Sequence, residues 1–146
     1  MARTKASQVT QDLRERLGEI HPNNGYLTAI KRVFGPTERV PDTEPKPYLV
    51  VRPANDSRTG KAKNQAGRVR LFEIEAVFGK GSTEEDLDAI HVDVLRALGF
   101  GQEDEDRKFK GLIEDEDEAV QEFASDGRTT HSTTITIGVF YVETYN

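Results

Sequence analysis

The three histidines are the only side chains whose ordinary pKa lies near neutrality, and the chain has no cysteine. Thiolate chemistry, thiolate metal sites and a disulfide framework are therefore excluded. His91 has acids at close spacing, Asp88 and Asp93. Such a pair can act as a base and its orienter. On one surface helix, however, that spacing arises commonly by chance, so His91 reads as a boundary residue. His21, just before Pro22, reads as a helix-end residue, and His131 has only Ser and Thr beside it. The G-K-G-S-T run at 79–83 precedes a predicted helix but lacks the Walker spacing, and an acidic first helical turn opposes anion binding there. The acidic run Glu114, Asp115, Glu116, Asp117 and Glu118 offers hard oxygen ligands, yet it has no central glycine and no EF-hand order. G-x-S-x-G and H-E-x-x-H do not occur. No catalytic, cofactor-binding or metal-binding residue is assigned, and the chain is not expected to be an enzyme.

Charge is more informative than these patterns. The net charge of -6 hides an asymmetry: residues 1–70 carry 14 Lys+Arg against 7 Asp+Glu, and residues 71–146 carry 6 against 19. A +7 half and a -13 half are consistent with a solvated surface. They also suit a head-to-tail contact, in which one copy's basic patch meets another's acidic patch. The basic side chains concentrate in 54–67, which has almost no apolar content and reads as a long mobile hairpin loop. Arg58, Lys61, Lys63 and the following Arg68 make it a candidate arm for an acidic partner. It lacks interleaved aromatics, which argues against a base-stacking platform. The acidic counterpart is 102–126, with 11 acidic and 3 basic residues. Repulsion is expected to leave it extended, but Phe109, Leu112, Ile113, Val120 and Phe123 interrupt it and offer points of docking, with a helical turn expected over Ala119 to Phe123.

The elements that hold these charges centre on 68–98. Phe72, Ile74, Ala76 and Phe78 alternate along a predicted strand, with Glu73 and Glu75 on the other face. Gly79 and Gly81 break it. Ser82 is placed to cap a helix, with Glu85 completing a capping box. Leu87, Ile90, Val94, Leu95 and Leu98 form one helical face, and Gly99 stops it. Upstream, Ser7 to Ile20 reads as a helix with Val9, Leu13, Leu17 and Ile20 on one stripe, capped by Ser7 or Thr10. Tyr26 to Phe34 reads as a short strand. A proline-rich connector follows, and Tyr48 to Arg52 is a strand closed by Pro53. Thr129 to Tyr145 is the last strand. Both its faces are apolar near the C-terminal end, so Phe140 and Val142 belong to a central strand or face another subunit. The expectation is one domain over 1–146: a two-layer α+β fold with one mixed or antiparallel sheet. Two amphipathic helices pack on one of its faces, in the order α-β-β-β-α-β. No apolar run approaches the ~18 residues of a membrane span, and MARTKASQ has no signal-peptide core. A soluble protein is expected.

The order of a helix, a strand PYLVV, a polar hairpin, a strand V-x-L-x-E-I-E-A-V-F, an acid-capped helix and a closing F-Y-V-E-T-Y strand resembles the tail terminator (tail completion) proteins of long-tailed bacteriophages. The likeness covers about residues 7–101 and 129–146, and the proline-rich connector and acidic insert lie outside the usual pattern. It implies a structural virion protein at the head-proximal end of the tail. Such a protein forms a hexameric ring with itself, caps the tail tube protein, ends tube growth and offers a surface to the head–tail connector. DNA only passes through the lumen, and neither a cofactor nor a membrane is involved. The interface residues expected on this reading are Arg58, Lys61, Lys63, Arg68, Glu114 to Glu118, Phe140 and Val142. Another neck or connector component, and a small nucleic-acid-binding module using the basic half, are the alternatives. The latter would lose affinity steeply with salt.

Overall fold

The computed structural model describes residues 3–124 and 129–145, apart from the side chains of 115 and 116. Helix α1 (Lys5–Leu17) leads through a 3-10 turn (Pro22–Asn24) to β1 (Val33–Phe34). The chain continues as β2 (Tyr48–Ala62), β3 (Gln65–Gly79), α2 (Glu84–Ala97), a second 3-10 turn (Asp104–Asp106), β4 (Leu112–Glu122) and β5 (Thr130–Thr144). The strands form one sheet in the order β1-β2-β3-β5-β4. β1 pairs parallel with β2, and every other neighbour is antiparallel. Both helices cover the same face, giving the expected two-layer α+β fold.

That face follows from the period-two and helical patterns. Leu49, Val51, Phe72, Ile74, Ala76, Ile135, Ile137 and Val139 point toward the helices and form one core with Leu13 and Leu17 of α1 and Leu87, Ile90 and Val94 of α2. Each of the fully buried Leu and Ile side chains contributes about 1.5–3 kcal/mol by leaving water. β5 is central, between β3 and β4, as its two apolar faces suggest. The α2 stop also holds. Gly99 has φ +84°, and the Gly99 and Phe100 N–H groups donate to the Arg96 and Leu95 carbonyls, a Schellman arrangement.

Several expectations need correction. The acidic insert is not an extended loop with a helical turn, because it contains β4, so the order is α-β-β-β-α-β-β. Apolar residues within the insert explain this: Leu112 and Ala119 reach the core side of the sheet and draw the acidic chain into register with β5. Residues 54–67 are not a mobile loop. β2 and β3 run as strands, with bulges at Ala54 and Thr59, to a two-residue turn at Lys63 and Asn64, because β5 pairs β3 along its whole length, from Gln65↔Thr144 to Gly79↔Thr130. Pro53 does not end β2. It lies beyond the reach of β1, on a free edge where its missing N–H costs no ladder bond, beside a bulge at Ala54.

Tyr26 to Phe34 is a strand only at Val33–Phe34. Upstream of it, the Leu27 and Thr28 N–H groups donate to the Asp93 side chain instead of to a neighbouring strand. α1 begins earlier than expected, at Lys5, and ends earlier, at Leu17. Thr4 caps it, and the Lys5 and Ala6 N–H groups donate to Glu143 on β5. The α2 cap shifts by one residue to Thr83, whose N–H donates to Asp86 at 2.9 Å.

Candidate interaction surface

The hairpin that carries the basic residues is long and anchored. Fifteen residues per strand extend for about 50 Å. Its turn places Lys63 in the left-handed region (φ 54°), and the Tyr145 N–H donates to the Asn64 carbonyl at 2.7 Å, tying the tip to the end of β5. Arg58, Lys61 and Lys63 are exposed and make no ion pair among the described residues. They line one depression of about 470 Å³ with Arg68 and Tyr145. The structure therefore brings these four predicted residues together.

Arg68 differs from the other three because it is spent inside the fold. Asp56 on β2 accepts from Arg68 Nε, from Arg70 Nε at 2.8 Å and from the Tyr141 hydroxyl. Burial opposes ionisation of Asp56, but the hydrogen bonds from Tyr141, Arg70 and Arg68 outweigh it and hold its pKa below the ordinary carboxylate value. Burial, then the bond to the Asp56 carboxylate, pushes the Tyr141 phenol up to about 12. This network ties β2, β3 and β5 together beside α1, where Arg70 Nη1 also donates to the Thr10 hydroxyl at 3.4 Å.

Phe140 and Val142 lie on the face of the sheet opposite the helices and are 46% and 44% exposed. Val69 stands opposite Phe140 and Gly67 opposite Val142. The Phe140 ring covers Gly67, where a Cβ would come within 3.1 Å of Phe140 Cε2. The result is an uncovered apolar strip behind the basic tip.

The acidic run is divided in its roles. Between Ile113↔Gly138 and Glu118↔Thr136 the β4 register slips, so 114–117 bulge out of the ladder. Glu114 accepts from the buried Arg107 and from the Gly101 N–H at 2.6 Å. Asp117 meets His91 Nε2 at 2.9 Å. Glu118 is exposed. The side chains of Asp115 and Glu116, also predicted for the interface, lie outside the described residues. His91 thus pairs with Asp117 and not with its helix neighbours, and the pair fastens the bulge to α2. His131 Nδ1 accepts from the Ala124 N–H at 2.8 Å, so its Nε2 donates to the Lys80 carbonyl at 3.1 Å. His21 Nδ1 caps the 3-10 turn through the Asn23 N–H. Among the described residues, no group of three His, Asp or Glu side chains is placed to hold a metal ion.

The residues missed by sequence reading are Asp93 and Arg107, both buried. Asp93 accepts from Leu27 and Thr28, and Arg107 Nη1 and Nε donate to the Leu112, Gly99 and Gln102 carbonyls. Asp93 carried a signal: it falls within the apolar stripe of α2, three residues after Ile90, where a carboxylate must find donors. No protein-family model matches the chain, and no curated protein matches it in sequence.

Proposed function

We propose that this chain is a structural subunit that assembles head to tail into a ring, of the type that caps the tail tube of long-tailed bacteriophages and joins it to the head. The observation that carries the self-assembly is the separation of unpaired charge. Arg58, Lys61 and Lys63 occupy the hairpin tip, while Glu84 and Glu85, exposed and without an ion pair among the described residues, open α2 at the other end of β3. About 46 Å of strand lies between Gln65 and Gly79. These charges cannot meet within one chain, but they can meet between copies. A contact between two different surfaces closes into a ring when the rotation allows it. The uncovered strip at Phe140 and Val142 supplies apolar area beside the basic tip. The resemblance in element order supports the tail-capping role, with β4 as an addition to that pattern.

The test is solution mass by light scattering in low and high salt, followed by electron microscopy of the main species with and without purified tail tubes. A ring that weakens with salt and sits on tube ends is the expected result, since screening acts over about 10 Å at 0.1 M salt. Reversing the charge of Arg58, Lys61 and Lys63 together should weaken assembly or tube binding. If neither changes, the hairpin has no part in either contact.

A further inference from the structure

A second basic surface lies on the helix-covered side, in a groove of about 470 Å³ between α1 and the β2–β3 hairpin. Ser7, Thr10 and Arg14 fall on one stripe of α1, with Arg3 just ahead of its cap. Pro53 and Arg70 form the opposite wall. Arg14 is the anomaly. Its side chain has no hydrogen bond or ion pair among the described residues, and its Nε is buried without a partner. Packing holds it in place: a Cβ on Gly35 would come within 2.8 Å of its Nη2. A guanidinium carries five donors and is charged at every accessible pH. An orphaned buried donor of this kind is costly until an acceptor arrives. Among the described residues, Asp56 is the one carboxylate bonded to any of the three arginines, through Arg70, and it is already shared with Arg68.

We propose that this groove docks an acidic segment of a second copy of the chain, with Arg14 and Arg3 binding its carboxylates. The inference rests on the self-assembly reading and assigns a second part of its basic surface. The site is elongated, since Ser7 to Arg14 alone covers about 10 Å of helix, so a run of carboxylates fits it better than one small anion. The chain supplies such a run in Glu84 and Glu85, exposed in the first turn of α2. They cannot reach the groove of their own chain, because about 30 Å of β3 separates Arg70 from Gly79. A polyphosphate strand is the less favoured occupant: the net charge of -6, concentrated as -13 in residues 71–146, repels it.

The test uses two variants of the full chain, each checked for native circular dichroism. One is Arg3→Glu with Arg14→Gln, which disables the groove. The other is Glu84→Gln with Glu85→Gln, which disables the acidic segment. Each alone should associate at least tenfold more weakly than wild type in light scattering at low salt. Mixed in equal amounts they still offer one intact groove and one intact acidic segment, so a species of two chains should form where neither variant associates alone. Assembly of the groove variant at wild-type strength would overturn the inference and leave ring formation standing. A wild-type chain that remains monomeric at every concentration would overturn both. Binding of a duplex oligonucleotide that is lost in the groove variant, with assembly unchanged, would overturn it in favour of nucleic acid.

Discussion

Replacing Asp56 with alanine tests whether the far half of the hairpin is held by its ionic network. The side chain is 19% exposed and joins three donors from two strands. Removing it strips the counter-charge from Arg68 and Arg70, which are themselves only 25% and 21% exposed. Hydrogen bonds to charged groups are worth about 1.5–3 kcal/mol each when lost, and a broken buried ion pair costs about 3–5 kcal/mol. Both guanidiniums can turn partly toward water, and the tyrosine can bond solvent, so the network falls below the sum of its parts. About 3 kcal/mol is the expected loss. With a urea m-value of about 1–3 kcal/mol per molar, the midpoint should fall by 1 M or more. Amide hydrogen exchange should speed up in 54–66 and in the facing part of β5, before the core strands respond. Tyr141→Phe removes one bond and should cost about 1 kcal/mol. A loss below about 0.5 kcal/mol for Asp56→Ala, with no change in exchange, would show that these are screened surface pairs. The far half of the hairpin would then be held by its strand ladders alone.

Three further outcomes follow from the same contacts. The depressed pKa of Asp56 gives stability that is full above the ordinary carboxylate pKa near 3.8 and is lost as pH falls through its lower folded value. The raised pKa of Tyr141 gives stability that is full below 10.0 and is lost as pH rises toward about 12. Urea midpoints across pH should show both flanks, and Asp56→Ala should remove the acid flank and reduce the alkaline one, whose larger cause is burial. Asp93→Ala leaves the buried Thr28 N–H without its acceptor, while the exposed Leu27 N–H can turn to water, which should cost about 1–3 kcal/mol in the same assay. Gly111 has φ +96°, and a Cβ there would come within 2.3 Å of the Phe140 carbonyl oxygen. Gly111→Ala should therefore cost about 2 kcal/mol or more and loosen β4 from β5 in hydrogen exchange.

The sequence by itself determined the helix-facing core and the separation of charge. Period-two alternation in β3 and β5 and helical stripes in α1 and α2 are local signals, and each found the same side of one sheet. Charge is additive along the chain, so the basic and acidic halves were also legible. Only the tertiary structure decided which of those charges remain free. Arg68 and Glu114 belonged to the predicted surface, yet Asp56 and Arg107 engage them from elsewhere in the fold. Arg14, which no sequence signal singled out, holds a buried Nε without a hydrogen-bond partner. The polar hairpin and the acidic β4 have weak propensities of their own and became strands because β5 offered them a ladder. Strand pairing and ion pairing join residues far apart in the chain, and which partners meet is settled only when the sheet closes.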